Sequence, residues 1–88
     1  MINKINPNSY YKDFTYYNKF TKMEYDVIYT DNAKYYLIGC KYANKTFIKL
    51  NKRHCIGTIK SWNKLIKENS YYTKIMELTK EEVFLEML

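Results

Sequence analysis

Residues 24–50 have the sequence EYDVIYTDNAKYYLIGCKYANKTFIKL, which contains three runs of strand-forming residues. The runs, at 24–30, 34–42 and 45–50, are rich in the tyrosine, isoleucine, valine, threonine and phenylalanine that strands favour. Asp31-Asn32 and Ala43-Asn44 separate the runs, and asparagine and aspartate are typical of turns. The stretch therefore predicts three antiparallel strands joined by two tight hairpins.

Two-residue turns would also fix which side chains share a face of the sheet, because side chains alternate along a strand. Val27, for example, would lie opposite Tyr36. This register predicts one apolar and aromatic face that forms the core, made of Tyr25, Val27, Tyr29, Tyr36, Ile38, Cys40, Tyr42 and Phe47. The opposite face would carry Glu24, Asp26, Ile28, Leu37, Lys41, Ile48 and Leu50.

The sequence after residue 50 predicts one helix between two short strands. A turn around 51–54 and a strand at 55–59 come first, and Ser61 then suits the N-cap of a helix over 61–69. Trp62, Leu65 and Ile66 recur at helical spacing, so this side of the helix should pack on the sheet. Residues 71–78 are typical of a further strand.

The C-terminus predicts a second helix. Thr79 and Glu82 have the spacing of a capping box, which marks a helix start. Val83, Phe84 and Met87 would then face the core.

The first 22 residues are polar and rich in tyrosine. Tyr10, Phe14 and Tyr17 lie at helical spacing, so the segment 1–22 is expected to be either a short helix or an N-terminal arm. Residues 23–88 are expected to form a single α+β domain. It would contain a mainly antiparallel sheet of three to five strands, with two helices in its C-terminal half.

The amino-acid composition indicates the kind of organism and the cellular compartment in which such a domain would work. The 88 residues include 14 lysines but one arginine, together with 9 asparagines, 9 isoleucines and 11 tyrosines. These abundant residues have A/T-rich codons, which favours a low-GC bacterium or one of its phages as the source. We expect no signal peptide, because the first residues contain no apolar stretch, and no apolar run reaches the ~20 residues that a membrane span needs. We therefore expect a cytoplasmic protein with two reduced cysteines and no membrane partner.

Charge is the most informative feature of the sequence. The segment 41–67 contains eight basic residues and no acidic one, whereas 77–88 contains four glutamates and one lysine. A positive surface of this kind is typical of proteins that bind nucleic acid or an acidic protein surface, although lysine-biased composition alone also produces solvated basic faces. The predicted binding residues are Lys41, Lys45, Lys49, Lys52, Arg53, Lys60, Lys64 and Lys67.

Catalytic and metal-binding patterns are weak in comparison. A structural zinc site needs four ligands, and the chain contains one histidine and two cysteines without a C-x-x-C pair. His54 and Cys55 are neighbours in a strand, so their side chains would point to opposite faces and could not form a dyad. Both cysteines are expected to be small buried apolar residues. The sequence thus predicts no catalytic residue, no metal and no cofactor.

Three hypotheses about function follow. The first is a small non-enzymatic protein whose basic face docks on nucleic acid or on the acidic groove of a nucleic-acid-handling complex. A phage-encoded inhibitor of a host defence system, of the anti-CRISPR or anti-restriction type, would fit the second case. The alternative is a small RNase-like toxin with His54 as general base, since size and basicity resemble those of ribosome-dependent RNase toxins. The third is a structural or oligomerising module, for instance a homodimer formed through its tyrosine-rich face.

Overall fold

The computed structural model describes residues 4–15, 20, 22–43, 46–68 and 74–86. Its elements, in chain order, are β1 (Tyr10–Asp13), β2 (Met23–Thr30), β3 (Lys34–Tyr42), β4 (Ile48–Thr58), α1 (Ile59–Glu68), β5 (Ile75–Leu78) and α2 (Lys80–Glu86). The strands form one sheet in the order β4-β3-β2-β1-β5, and every pairing is antiparallel. The predicted α+β fold, with its antiparallel sheet and two helices in the C-terminal half, is confirmed.

The N-terminal part of the chain differs from the predicted arm or short helix. Tyr10–Asp13 is a strand that pairs with β2 on one side and with β5 on the other. Tyr11 is completely buried, and its hydroxyl accepts a hydrogen bond from the Asn6 amide at 2.8 Å. Because β1 lies between two strands, it is part of the sheet interior rather than an appendage.

The β2–β3 turn is shifted by one residue from the one predicted at Asp31-Asn32. The Asp31 amide donates to the Lys34 carbonyl at 3.1 Å, so Asn32 and Ala33 form the turn, and Asp31 Oδ1 accepts hydrogen bonds from the amides of Ala33 and Lys34 at 2.8 and 2.6 Å. A bulge then lies at Ile38. Beyond the bulge, Cys40 pairs with Asp26, on the face opposite to the one predicted for it.

The turn predicted at 51–54 is wrong, because β4 runs without interruption from Ile48 to Thr58. The pairing with β3 does change at this point: Gly39 pairs with Lys49, while Leu37 pairs with His54. The extra residues of β4 therefore bulge out of the ladder instead of turning the chain.

A buried cluster lies on each face of the sheet, because one helix packs on each face. The α1 side contains a buried cluster of Ile5, Tyr11, Ile28, Trp62, Ile66 and Ile75. The other side contains Tyr25, Val27 and Leu78, with Ile38, Phe47 and Val83 packed against them. The face predicted to hold the core is thus only one of two, and α1 lies on the other.

The second helix begins with the predicted capping box. The Thr79 amide donates to Glu82 Oε1 at 3.0 Å, and the Glu82 amide donates to Thr79 Oγ1 at 3.2 Å. Glu86, at the other end of α2, accepts a hydrogen bond from the Tyr25 hydroxyl and forms an ion pair with Lys12. Phe84, which was predicted to face the core, is 67% exposed, and Met87 lies outside the described residues.

No helix in the described part of the chain is long and apolar enough to cross a membrane.

Candidate functional site

The start of α1 is fixed by Thr58 and not by Ser61 as predicted. The Ser61 amide donates to Thr58 Oγ1 at 3.1 Å, and the Ser61 hydroxyl donates to the Thr58 carbonyl at 2.9 Å. Thr58 therefore acts as N-cap, and the helix begins two residues earlier than the sequence indicates.

The β2–β3 turn is joined to this helix start. The amide of Ile59, the first residue of α1, donates to the Ala33 carbonyl at 2.8 Å. The turn and the first part of the helix thus form the two walls of an open groove of about 990 Å³, a volume at the upper end for small-ligand pockets. We call it the lysine groove, and it is lined by Asn32, Ala33, Thr58, Ile59, Lys60, Ser61, Asn63, Lys64 and Lys67.

Three of the predicted binding residues, Lys60, Lys64 and Lys67, lie together in this groove. All three are exposed, and they follow one another by four and three residues, so they occupy one side of α1 over about 10 Å of helix axis. Among the described residues, no acidic side chain forms an ion pair with any of them. Their charges are therefore available to an anionic partner.

The opposite side of α1 explains why these lysines point outward. The Trp62 ring stacks on Tyr35, with ring centroids 4.5 Å apart, and meets Tyr11 edge-on at 5.7 Å. Trp62 and Ile66 are buried, while Leu65, which was predicted to be buried with them, is 45% exposed. Only a narrow side of α1 is buried, and its packing fixes the rotation of the helix about its own axis.

The basic residues of β4 lie elsewhere. Lys49, Lys52 and Arg53 are exposed on this edge strand and do not line the lysine groove. The Arg53 guanidinium lies 4.4 Å from the centre of the Tyr36 ring and 5.6 Å from that of Tyr29. The guanidinium thus already lies close to two aromatic rings of the sheet.

The remaining predicted binding residues do not add to the groove. Lys41 is half-buried in β3, where it pairs with Tyr25. Lys45 lies outside the described residues. Of the eight basic residues predicted to form one surface, the structure brings together three and spreads at least four others over β3 and β4.

A further lysine lies next to the groove without having been predicted. Ile5 is 1% exposed and packs in the α1-side core, and its amide donates to Asn63 Oδ1 at 2.7 Å. The Asn63 side-chain amide donates back to the Ile5 carbonyl at 3.4 Å. Lys4 is therefore held beside α1. No local sequence pattern predicts the hydrogen bonds between Ile5 and Asn63, because these residues are 58 positions apart in the sequence.

Acidic groups modify the electrostatics at two places near α1. Asp13 and Asp26 are directly opposite each other in β1 and β2 and line a small cavity beneath Trp62. Burial, together with the charge of Asp13, raises the pKa of Asp26 to about 6. In the β2–β3 turn, hydrogen bonds from Tyr36, Lys34 and Ala33 lower the pKa of Asp31 to about 2.

The two candidates for chemistry, His54 and Cys55, lie on the exposed edge strand β4. They pair with Leu37 and Tyr36 respectively, so they belong to opposite faces of the sheet. The expectation that Cys55 is buried is wrong, since it is exposed, and Cys40 is half-buried. Among the described residues, no three histidine, cysteine, aspartate or glutamate side chains are grouped so that they could hold a metal ion.

The three exposed lysines of the lysine groove can attract and hold an extended anion along α1. Comparison with protein-family models, with curated proteins and with solved structures finds no match.

Proposed function

We propose that this protein is a small non-enzymatic binding protein whose lysine groove docks on the phosphate backbone of nucleic acid. The observation that carries the proposal is the alignment of Lys60, Lys64 and Lys67 on one exposed side of α1, without an acidic partner among the described residues. Lysines of this kind neutralise phosphates and release condensed counterions, which supplies sequence-independent affinity.

The composition of the groove supports backbone contacts rather than base recognition. Its lining contains lysine, serine, threonine and asparagine, but no aromatic side chain on which a base could stack and no arginine that could read a guanine edge. Groups of this type contact phosphate and sugar, which fix position but carry little sequence information. We therefore expect weak dependence of affinity on base sequence.

A second candidate is a protein partner, namely the acidic groove of a nucleic-acid-handling complex. A phage-encoded inhibitor of a bacterial defence system, working in the host cytoplasm, would bind in this way. The observation that favours it is the apolar end of α2, where Phe84 and Leu85 are 67% and 68% exposed. Large exposed apolar side chains are more typical of protein interfaces than of phosphate-binding surfaces.

Direct binding measurements distinguish the two candidates. Fluorescence anisotropy would be recorded with labelled 20-nucleotide DNA and RNA, single- and double-stranded, in two unrelated sequences, and with polyglutamate as a non-nucleic polyanion. We expect binding to all nucleic acids with similar affinity for the two sequences, and a loss of about 5- to 8-fold for Lys64→Gln at 0.1 M salt. Lys80→Gln, which removes an exposed lysine on α2, is the matched control.

Two results would contradict the proposal. One is the absence of nucleic-acid binding by the unaltered protein. The other is an equal loss in Lys64→Gln and Lys80→Gln, which would mean that net charge rather than the groove governs affinity. A pull-down from a low-GC bacterial lysate with and without nuclease then tests the second candidate, which requires capture of the same proteins in both samples.

A further inference from the structure

We infer that the N-terminal segment, residues 4–9, is part of the binding surface and supplies Lys4 as a fourth cation beside the lysine groove, with Asn63 as the residue that positions it. This inference rests on the proposed function and extends it to a part of the chain far from the basic segment in sequence.

The contact between the segment and α1 has two components. The Ile5 side chain is 1% exposed and packs in the cluster that contains Trp62 and Ile66. The Ile5 backbone forms hydrogen bonds in both directions with the Asn63 side chain, as donor at 2.7 Å and as acceptor at 3.4 Å. The Asn63 side chain thus satisfies both the backbone N–H and the backbone C=O of Ile5, as a neighbouring strand would do in a sheet.

The rest of the segment is fixed by β1 and β2. The Asn6 amide donates to the Tyr11 hydroxyl at 2.8 Å, and the Thr30 hydroxyl donates to the Asn6 carbonyl at 2.7 Å. Asn8 adopts a left-handed backbone with φ of 53°, which asparagine tolerates better than most residues, and its amide donates to the Asp31 carbonyl at 3.1 Å. The segment therefore has a defined path across the molecule.

This path determines where Lys4 lies. Its Cα is about 2.4 Å from the Ile5 nitrogen, because two bonds connect them. Asn63 lies within the lysine groove, next to Lys64 and about one helical turn from both Lys60 and Lys67. Lys4 is exposed, and no acidic side chain among the described residues forms an ion pair with it. Its charge adds to that of the groove.

The test is the salt dependence of binding to a labelled 20-base-pair DNA duplex. We expect Lys4→Gln to lower the slope of log affinity against log salt by about 0.9, which is about 8-fold in affinity at 0.1 M salt. Lys4→Arg, which keeps the charge, should keep the slope. Lys80→Gln, on α2, is the matched control and should have no effect.

Asn63→Ala separates positioning from charge, because it removes no charge. It should lower the slope in the same direction as Lys4→Gln but by less, because the buried Ile5 side chain and the Asn6 hydrogen bonds still hold the segment. The double variant should resemble Lys4→Gln, since Asn63 acts on binding through Lys4. The Ile5 amide should exchange its hydrogen faster in Asn63→Ala than in the unaltered protein. If Asn63→Ala does not fold, the comparison of Lys4→Gln, Lys4→Arg and Lys80→Gln still decides the question.

The possible negative results separate this inference from the proposed function. Equal effects of Lys4→Gln and Lys80→Gln, or additive effects of Lys4→Gln and Asn63→Ala, would overturn this inference while leaving an effect of Lys64→Gln, and so the proposed function, intact. The absence of binding by the unaltered protein would overturn both.

Discussion

Trp62 is the side chain that joins α1 to the sheet. It is 6% exposed and lies between Tyr35 and Tyr11. Trp62→Ala should lower the free energy of unfolding by ~3–5 kcal/mol, a large part of the stability of a domain of this size. Leu65→Ala, one turn away but 45% exposed, should cost about 1 kcal/mol or less. Urea denaturation of both variants measures the difference, and similar losses would contradict the assigned helix face.

Asp26 should make the domain less stable as pH rises. Its pKa in the folded state is about 6, above the ordinary value of 3.8, because it is partly buried and faces Asp13. The stabilising effect of its proton is therefore complete below about pH 4 and is lost as pH rises through about 6.

Asp26→Asn removes this charge while keeping the shape of the side chain. At pH 7 it should raise the free energy of unfolding by about 1 kcal/mol, which is less than the full shift implies because water reaches part of the group. The change in stability between pH 4 and pH 7 should become smaller. Glu81→Gln, an exposed carboxylate on α2, is the control. A destabilised Asp26→Asn variant at pH 7 would show that the carboxylate is favourably paired.

Single residues also show why the strand register could not be read from the sequence. Asp31-Asn32 has the composition expected of a tight turn, but the Asp31 carboxylate accepts two backbone amides and the turn lies one residue later, at Asn32-Ala33. A Cβ added at Gly39 would lie 2.2 Å from the Phe47 ring and 2.7 Å from the Ile48 carbonyl oxygen. The close approach at Gly39, next to the bulge at Ile38, depends on how β3 pairs with the segment that contains Phe47 and Ile48, so no local pattern indicates it.

At the scale of single elements, the cap of α1 offers a direct comparison between two adjacent candidates. Thr58→Ala should cost about 1 kcal/mol, since the Thr58 hydroxyl accepts the Ser61 amide. Ser61→Ala should cost less, because Ser61 lies inside the helix and its hydroxyl only donates to the Thr58 carbonyl. Thermal unfolding of the two variants measures both costs. The reverse order would mean that the helix begins at Ser61.

Elements with a local signature were predicted well. β2, β3 and both helices follow from strand composition, helical spacing and the Thr79–Glu82 capping box. Of the strand predicted at 71–78, Ile75–Leu78 is β5, Lys74 precedes it, and 71–73 lie outside the described residues. β1 was missed because four residues with a mixed polar pattern gain their stability from β2 and β5 on either side. The continuous β4 was missed because Asn51 and its basic neighbours have the composition of a turn, whereas in the structure they form a bulge.

In the folded protein, basic residues that follow one another in the sequence do not all lie on one surface. The segment 41–67 is uniformly basic, yet it runs through the end of β3, the edge strand β4 and then α1. The common side of Lys60, Lys64 and Lys67 can be read from the sequence, because a spacing of four and three residues places side chains on one side of any helix. The separation of Lys49 and Arg53 from them, and the approach of Lys4, depend on tertiary packing.

Two matched triple variants test the claim that the lysine groove, and not net charge, governs the binding of nucleic acid. One replaces Lys60, Lys64 and Lys67 by glutamine, and the other replaces Lys49, Lys52 and Arg53. Each lowers the net charge from +6 to +3, because three positive charges are removed from six in excess. The measurement is the slope of log affinity for a labelled duplex against log salt, with circular dichroism as the check on folding. We predict that the slope falls by about 2.7 in the first variant and stays nearly unchanged in the second. Equal slopes in the two variants would contradict the claim.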